Sequence, residues 1–344
     1  MRVPSTSFVT RTVLALGALA STGCAGLKLN LINASVRRPS NVAVYFTVDR
    51  INNDPVPGLT AERFRIYEDG APVSQLESRQ TILNPEVAAV HYTLLLMDMS
   101  GSVTESGQVA QLQAAAQTFT QRVERFQRVA IYAFDGSPNL TPIVPFTNSA
   151  GSASSAVSAL GNFHPRDPST NLYGAINEAL HQLEVALNSA TQPLRFGTLV
   201  VFTDGTDHAH RVTREDMMRT VRESPYDIFT IGVGSEIDAG ELRDIGRQGA
   251  IVEQNQAAVQ QAFEQIAQRI EGYTQRYYLL GYCSPSRAGE HDVRIEATTQ
   301  DGASGSLTYH FNAAGFQPNC DPAQAPNFDT SLRNRPRNVG QPGH

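Results

Sequence analysis

The chain opens its ordered pattern at Asn41, where Val42, Val44, Phe46 and Val48 fall on alternate positions. That spacing predicts a strand with one buried face. "NNDPVPG" then has the composition of a turn. In "RFRIYEDGAPV", Phe64 and Ile66 alternate ahead of Asp69-Gly70, a hairpin signal, so 41–86 is expected to be a β segment. From about Val87 the rhythm changes to strand, helix, strand, helix. Residues 88–97 are mostly apolar, as for a strand covered on both faces. Val109, Leu112, Ala116, Phe119, Val123 and Phe126 step by three and four, which makes an amphipathic helix. "VAIYAF", "TLVVFTD" and "YDIFTIGVG" read as further strands. "NLYGAINEALHQLEVAL", the threonine-capped "TREDMMRTVRES", and a last helix carrying Val259, Phe263, Ile266, Ile270 and Tyr273 stand between and after them. Such alternation predicts an α/β, doubly wound, mainly parallel sheet with helices on both faces over 87–274. "RYYLLGYC", "HDVRIEATT" and "GSLTYHF" restore a β pattern over 275–320. The early and late strands are expected to pair into one small β-sandwich with the α/β block inserted between them. Residues 24–40 read as a tether. The tail 321–344, rich in Pro, Asn and Arg, reads as disordered, with Arg333, Arg335 and Arg337 solvated.

Composition narrows the classes. The chain has 344 residues, 41% of them hydrophobic and 17% charged, enough for a core and for more than one domain. A net charge of -6 gives no basic footprint, so nucleic acid is not an expected partner. The first 23 residues combine Arg2 and Arg11 with the apolar run 13–20 and small residues, the composition of an export signal. "LASTGC" resembles the bacterial lipoprotein signal, which implies lipidation of Cys24, although Ser21 stands where that pattern prefers an aliphatic residue; an ordinary cleaved signal is the alternative. The implied location is the bacterial cell envelope, lipid-anchored to a membrane; Ala25 after the cysteine points to the outer membrane. With Cys24 set aside, Cys283 and Cys320 form an even pair in an oxidising compartment, and a bridge between them is expected.

Candidate chemistry gathers at strand ends. "LLLMDMSGSV" runs an apolar strand into Asp98, then Ser100 and Ser102; "LVVFTDG" ends another strand at Asp204; Thr170 in "DPSTNLYGAI" stands before a helix. Ligands of open α/β sheets bind at the carboxyl ends of strands near the switch in strand order, where Asp98 and Asp204 can meet. Two carboxylates and three hydroxyls suit a hard divalent cation, Mg²⁺ first and Mn²⁺ or Ca²⁺ after it.

The D-x-S-x-S of Asp98, Ser100 and Ser102, with Thr170 and the "TDG" of Asp204, resembles the metal-ion-dependent adhesion site of von Willebrand factor type A domains over about Val87 to Tyr273. The resemblance implies direct metal ligation by the hydroxyls, aspartates acting through water, and an open position for a partner's Asp or Glu carboxylate. The flanks "GLTAERFRIYEDGAPV" and "RYYLLGY" are similar to a bacterial group of exported proteins related to these domains. The expected function is metal-dependent protein binding at the envelope, without catalysis.

Other readings stay open. The metal site can be purely stabilising in an assembly protein. Ser100, Asp204 and His208 hold the residue types of a hydrolase triad, although "MSG" is not the G-x-S-x-G elbow. His208 and His210 in "DHAH" suit a softer metal or a solvated loop. A polar turn after Asp98, with a serine capping the next helix, needs no metal at all.

Overall fold

The computed structural model describes residues 26–146 and 156–328, with Ala153 between them. The export segment, Cys24 and the tail arginines lie outside these residues.

The inserted block carries a six-stranded sheet. Its strands are β6 (Ala89–Asp98), β7 (Arg128–Phe134), β8 (Thr141–Val144), β9 (Leu194–Thr203), β10 (Asp227–Val233) and β11 (Gly249–Glu253), in the spatial order β11-β10-β9-β6-β7-β8. All pairings are parallel except that of β8, which runs antiparallel to β7 at one edge. The chain moves outward from β6 to β7, then crosses back to β9 on the other side, so the switch point falls between β6 and β9. The expected burial of β6 on both faces holds. Leu95 and Met97 pack with Leu112 and Phe119 of α2 (Val109–Val123) and Phe263 of α6 (Val259–Gln275). Leu94 and Leu96 face the other way, onto Ile176 of α3 (Leu172–Asn188) and Met217 of α4 (Arg214–Glu223). The strand of "TLVVFTD" is longer than its sequence signal, starting at Leu194, and β8, β11 and α5 (Ala239–Ile245) had no strong periodic signal of their own.

The flanks close into a sandwich. One sheet has the order β1-β2-β12-β5, from β1 (Leu27–Arg37), β2 (Asn41–Arg50), β12 (Tyr277–Cys283) and β5 (Thr81–Leu83). The other has the order β14-β13-β3-β4, from β14 (Ser304–Asn312), β13 (Glu290–Thr298), β3 (Phe64–Glu68) and β4 (Ala71–Pro72). Val44, Phe46, Tyr278 and Leu280 of the first meet Phe64, Ile66, Val293, Ile295 and Leu307 of the second in one core. The Phe46 and Phe64 rings meet edge to face with centroids 5.6 Å apart. Asp69 and Gly70, at φ 50° and 80°, make the two-residue turn that a twisted hairpin requires.

Three expectations change. Residues 24–40 are not simply a tether, because β1 pairs along β2 from Leu27↔Arg50 to Arg37↔Asn41. Its mixed sequence, LKLNLINASVR, hides a strand at the sheet edge. Second, β2 is buried on both faces, since Ala43 and Tyr45 point away from the sandwich core and pack with Tyr277, Leu279, Ala88 and Ala89. Leu194 and Phe196, at the start of β9, complete this second cluster, so the outer face of the first sheet is the seat of the inserted domain. Third, residues 321–328 at the start of the tail are packed against the fold. The Arg37 guanidinium donates to Ala325 O (2.6 Å), Asn327 N donates to Ser35 Oγ (2.9 Å), and Phe328 stands edge-on to Tyr45 with centroids 6.2 Å apart. The segment has few apolar residues, but one of them fills the junction.

Arg276, between α6 and β12, locks the same junction. It pairs with Asp49 at 3.3 Å and lies over the rings of Tyr273 and Tyr277, at 4.7 and 5.5 Å. The Cys283–Cys320 bridge forms as expected and closes a loop of sequence separation 37. Such a constraint contributes about 2–4 kcal/mol.

Phe328→Ala should cost about 3 kcal/mol in urea-induced unfolding, the range for emptying a buried aromatic site. A change below about 0.5 kcal/mol, the usual effect at an exposed position, would place Phe328 outside the core.

Candidate metal centre

Register between the two central parallel strands sets the site. Met97 of β6 stands beside Phe202 of β9, so Asp98 comes level with Thr203 and Asp204 follows at the mouth. Asp98 is fully buried. One of its oxygens accepts the Ser100 amide at 3.0 Å, and the other accepts the Thr203 hydroxyl at 2.7 Å. The first contact folds Met99 and Ser100 into a tight turn ahead of α1 (Gly101–Glu105). That turn brings Ser100 Oγ within 3.2 Å of Ser102 Oγ, and Ser102 Oγ donates to Asp204 Oδ1 at 2.9 Å. A continuous run of oxygens therefore connects the ends of β6 and β9.

Thr170 joins through the backbone. Its carbonyl accepts the amides of His208 (2.9 Å) and Ala209 (3.0 Å), tying its loop to the one that follows Asp204. Gly101 N donates to Pro168 O at 2.9 Å, tying the same loop to the Ser100 turn. The approach is close and favours glycine: a Cβ at 101 would lie 3.0 Å from Pro168 Cβ, so the loop would have to give slightly. Gly234 plays the same part at the end of β10, at φ 143°, where a Cβ would come 2.9 Å from Asp204 O. The five sequence-selected residues thus sit on three mutually bonded loops at the carboxyl end of the sheet.

The electrostatics are unfavourable for the protein alone. Burial, and then the neighbouring Asp204, push the Asp98 carboxyl up to about 6, against the pull of the Thr203 and Ser100 contacts. Burial also raises Asp204, and Glu236 adds to the effect, while the Ser102 hydroxyl opposes it. A buried and a half-buried carboxylate faced by hydroxyls are a donor set that fits a hard cation. Among the described residues there is no group of three or more His, Cys, Asp or Glu side chains arranged for a metal, so the candidate donors are two carboxylates and hydroxyls.

The histidines lie apart from this chemistry. His208 is exposed and contributes its backbone amide, and His210 is largely exposed beside Asp207. Ser100 Oγ has Ser102 Oγ as its partner, not an imidazole. Sequence reasoning missed Thr203, the buried hydroxyl that bridges Asp98 Oδ2 and Gly205. It also missed Asp135 and Asp207, both buried beside these loops. Asp135 carried a usable signal, since it ends the apolar strand "VAIYAFD" as Asp98 ends "LLLMD".

Comparison with known proteins agrees with this architecture. A search of curated proteins gives no match. Among solved structures, a von Willebrand factor type A protein from Catenulispora acidiphila is similar at 12% identity and TM-score 0.46, over 85% of this chain and 74% of that one. The von Willebrand domain of the type V pili tip protein Mfa5 from Porphyromonas gingivalis is similar at 12% identity and TM-score 0.42, over 55% of this chain and 97% of that one. Proximal thread matrix protein 1 from the mussel byssus, with a zinc-occupied adhesion-site motif, is similar at 16% identity and TM-score 0.42, over 60% of this chain and 49% of that one. The family model of the von Willebrand factor type A domain matches residues 94–272, more than half of the chain, and the protein belongs to that family.

Proposed function

We propose that the protein is a metal-dependent protein-binding module of the bacterial cell envelope, anchored through lipid on Cys24. Ser100, Ser102 and Thr170 would hold Mg²⁺, or Mn²⁺ or Ca²⁺ in its place, with Asp98 and Asp204 in support. A partner presenting an Asp or Glu side chain would complete the coordination. The observation that carries this reading is the fully buried Asp98 beside the half-buried Asp204, each hydrogen-bonded to a hydroxyl, Thr203 for the first and Ser102 for the second. A cation offsets the burial and the repulsion that raise Asp98 and creates an anion-binding point at an otherwise acidic crevice. A purely stabilising cation in an assembly protein is the second reading, favoured by the depth at which Asp98 is buried.

Metal dependence should appear first in stability. A carboxyl raised on folding stabilises the fold while protonated, so in chelator stability should fall as pH climbs from the ordinary carboxylate range through about 6. Mg²⁺ should restore it, by about 2.7 kcal/mol at a hundredfold excess over Kd. The Mg²⁺ increment should be larger at about pH 7.5 than at about pH 5, because protons compete for the same oxygens. Thermal melts identical with Mg²⁺ and with chelator would remove the cation from the reading.

Asp98→Asn separates charge from packing better than alanine, which would strand the Ser100 amide and the Thr203 hydroxyl. The Asn variant should melt at or above wild type in chelator and gain no stability from Mg²⁺.

Partner binding is tested by a pull-down from envelope extract with the full chain or Asp204→Ala as bait, each in Mg²⁺ and in chelator. A protein retained only by wild type in Mg²⁺ is the expected result. Metal-dependent melting with identical retention in all four conditions would favour the stabilising role.

A further inference from the structure

Two more carboxylates are buried at the same end of the sheet, and the cation reading leaves them unused. Asp135 follows β7 and is 4% exposed; Asp207 lies past Asp204 and is 6% exposed. Asp135 is satisfied by backbone amides. One oxygen accepts Ser137 N at 2.7 Å; the other accepts Arg166 N at 2.7 Å and, more weakly, Asp167 N at 3.5 Å. Its own carbonyl accepts Asn171 N at 3.1 Å. Asp135 therefore grips the segment 166–171 on both sides of Thr170. Gly136 N on Asp167 O (3.0 Å) and Asn171 Nδ2 on Ser137 O (2.9 Å) extend the same grip.

Asp207 acts from the opposite side. One oxygen accepts Tyr173 N at 3.1 Å, in the first turn of α3, and the other accepts His210 N at 2.9 Å. It caps α3 from another loop, at the helix end where negative charge is favoured. Thr170 therefore lies between the Asp135 contacts at Asp167 and Asn171 and three residues ahead of the Asp207 contact at Tyr173, and the 204–210 loop also holds its carbonyl. A hydroxyl ligand on a loop is useful only if its position is fixed to a fraction of an ångström, and charge-assisted hydrogen bonds to backbone amides supply that stiffness.

We propose that Asp135 and Asp207 are positioning residues of the cation site, fixing Thr170 from either side. The proposal rests on the cation reading of the preceding subsection. Neither carboxylate needs to touch the ion. Each acts through Thr170, as outer residues do around other metal ligands, where their loss costs about 10–100-fold in metal affinity.

The test is a double-mutant cycle on the full chain, with Mn²⁺ alone as the probe and the electron paramagnetic resonance signal of free Mn²⁺ as the readout. Asp135→Asn and Asp207→Asn should each weaken Mn²⁺ binding about 10–100-fold, at a temperature where melting in chelator shows the variant folded. In a Thr170→Ala background the same substitutions should weaken it no further, because the group through which they act is gone. A merely structural role would lower the melting temperature and leave Mn²⁺ affinity of the folded protein unchanged. That result, or an undiminished loss on the Thr170→Ala background, would overturn the proposal. The two substitutions are separate arms, so if one variant does not fold the other decides. A wild type that leaves all Mn²⁺ free would sink the cation reading and this proposal with it, whereas wild-type binding untouched by either substitution would overturn the positioning roles alone.

Discussion

Everything at the crevice depends on the parallel register between β6 and β9. With Met97 beside Phe202, the Thr203 hydroxyl reaches Asp98, and Ser102 reaches Asp204 across the gap. Side chains alternate faces along a strand, so a slip of one residue would turn Leu94 and Leu96 toward α2 and send Asp98 to the wrong side. Two helical layers hold this register by demanding different residues of the same strand. The electrostatic cost of placing Asp98 next to Asp204 is thus borne largely by apolar packing on the two faces of β6. Hydrophobic alternation fixes a geometry that charge repulsion opposes.

Much of the architecture was legible in the chain because its strongest signals are local. The apolar run of β6, the three-four stepping of α2 and α6, the threonine cap of α4, where Thr213 accepts Asp216 N, and the Asp69-Gly70 turn are each decided within a few residues. The candidate ligands were legible for the same reason, since each ends, follows or precedes such an element. What could not be read is what tertiary contact decides. β1 has a weak pattern because it is an edge strand, paired on one side only. The second buried face of β2 exists only because the inserted domain rests on it. Phe328 sits in a polar segment and gains its place from Tyr45, far away in sequence. Asp135 and Asp207 are acidic residues in polar loops, and only the folded chain shows which amides they meet.

The junction between the two bodies has a different character from either core. Aromatic rings meet there: Tyr45 stacks on Tyr277 with centroids 5.6 Å apart, and Phe196 lies against both Tyr277 and His91. Burial and the nearby Arg276 charge hold the His91 imidazole down at about 3, so it stays neutral across the physiological range. Arg276 is the junction's cation, shared between Asp49 and two tyrosine faces. His91 therefore adds no charge to the junction near neutral pH, and the pH sensitivity of Asp98 arises at the other end of the domain.

The insertion also dictates an order of events as the chain is made. β2 and β3 are among the first strands to emerge, yet their partners β12 and β13 come from beyond the inserted domain: Thr47 pairs with Tyr277 and Ile66 with Ile295. Until those partners arrive, Val44, Phe46, Phe64 and Ile66 lack half of their core. Contacts this distant in sequence are slow to form, and incomplete sheets with apolar faces invite association with other chains. The inserted domain has mostly short connections and can form first, bringing β5 and β12 together as neighbours, with Leu83 beside Leu279. The sandwich is thus complete only when the chain on both sides of the inserted domain is in place, and its early strands depend on the domain to bring their partners back.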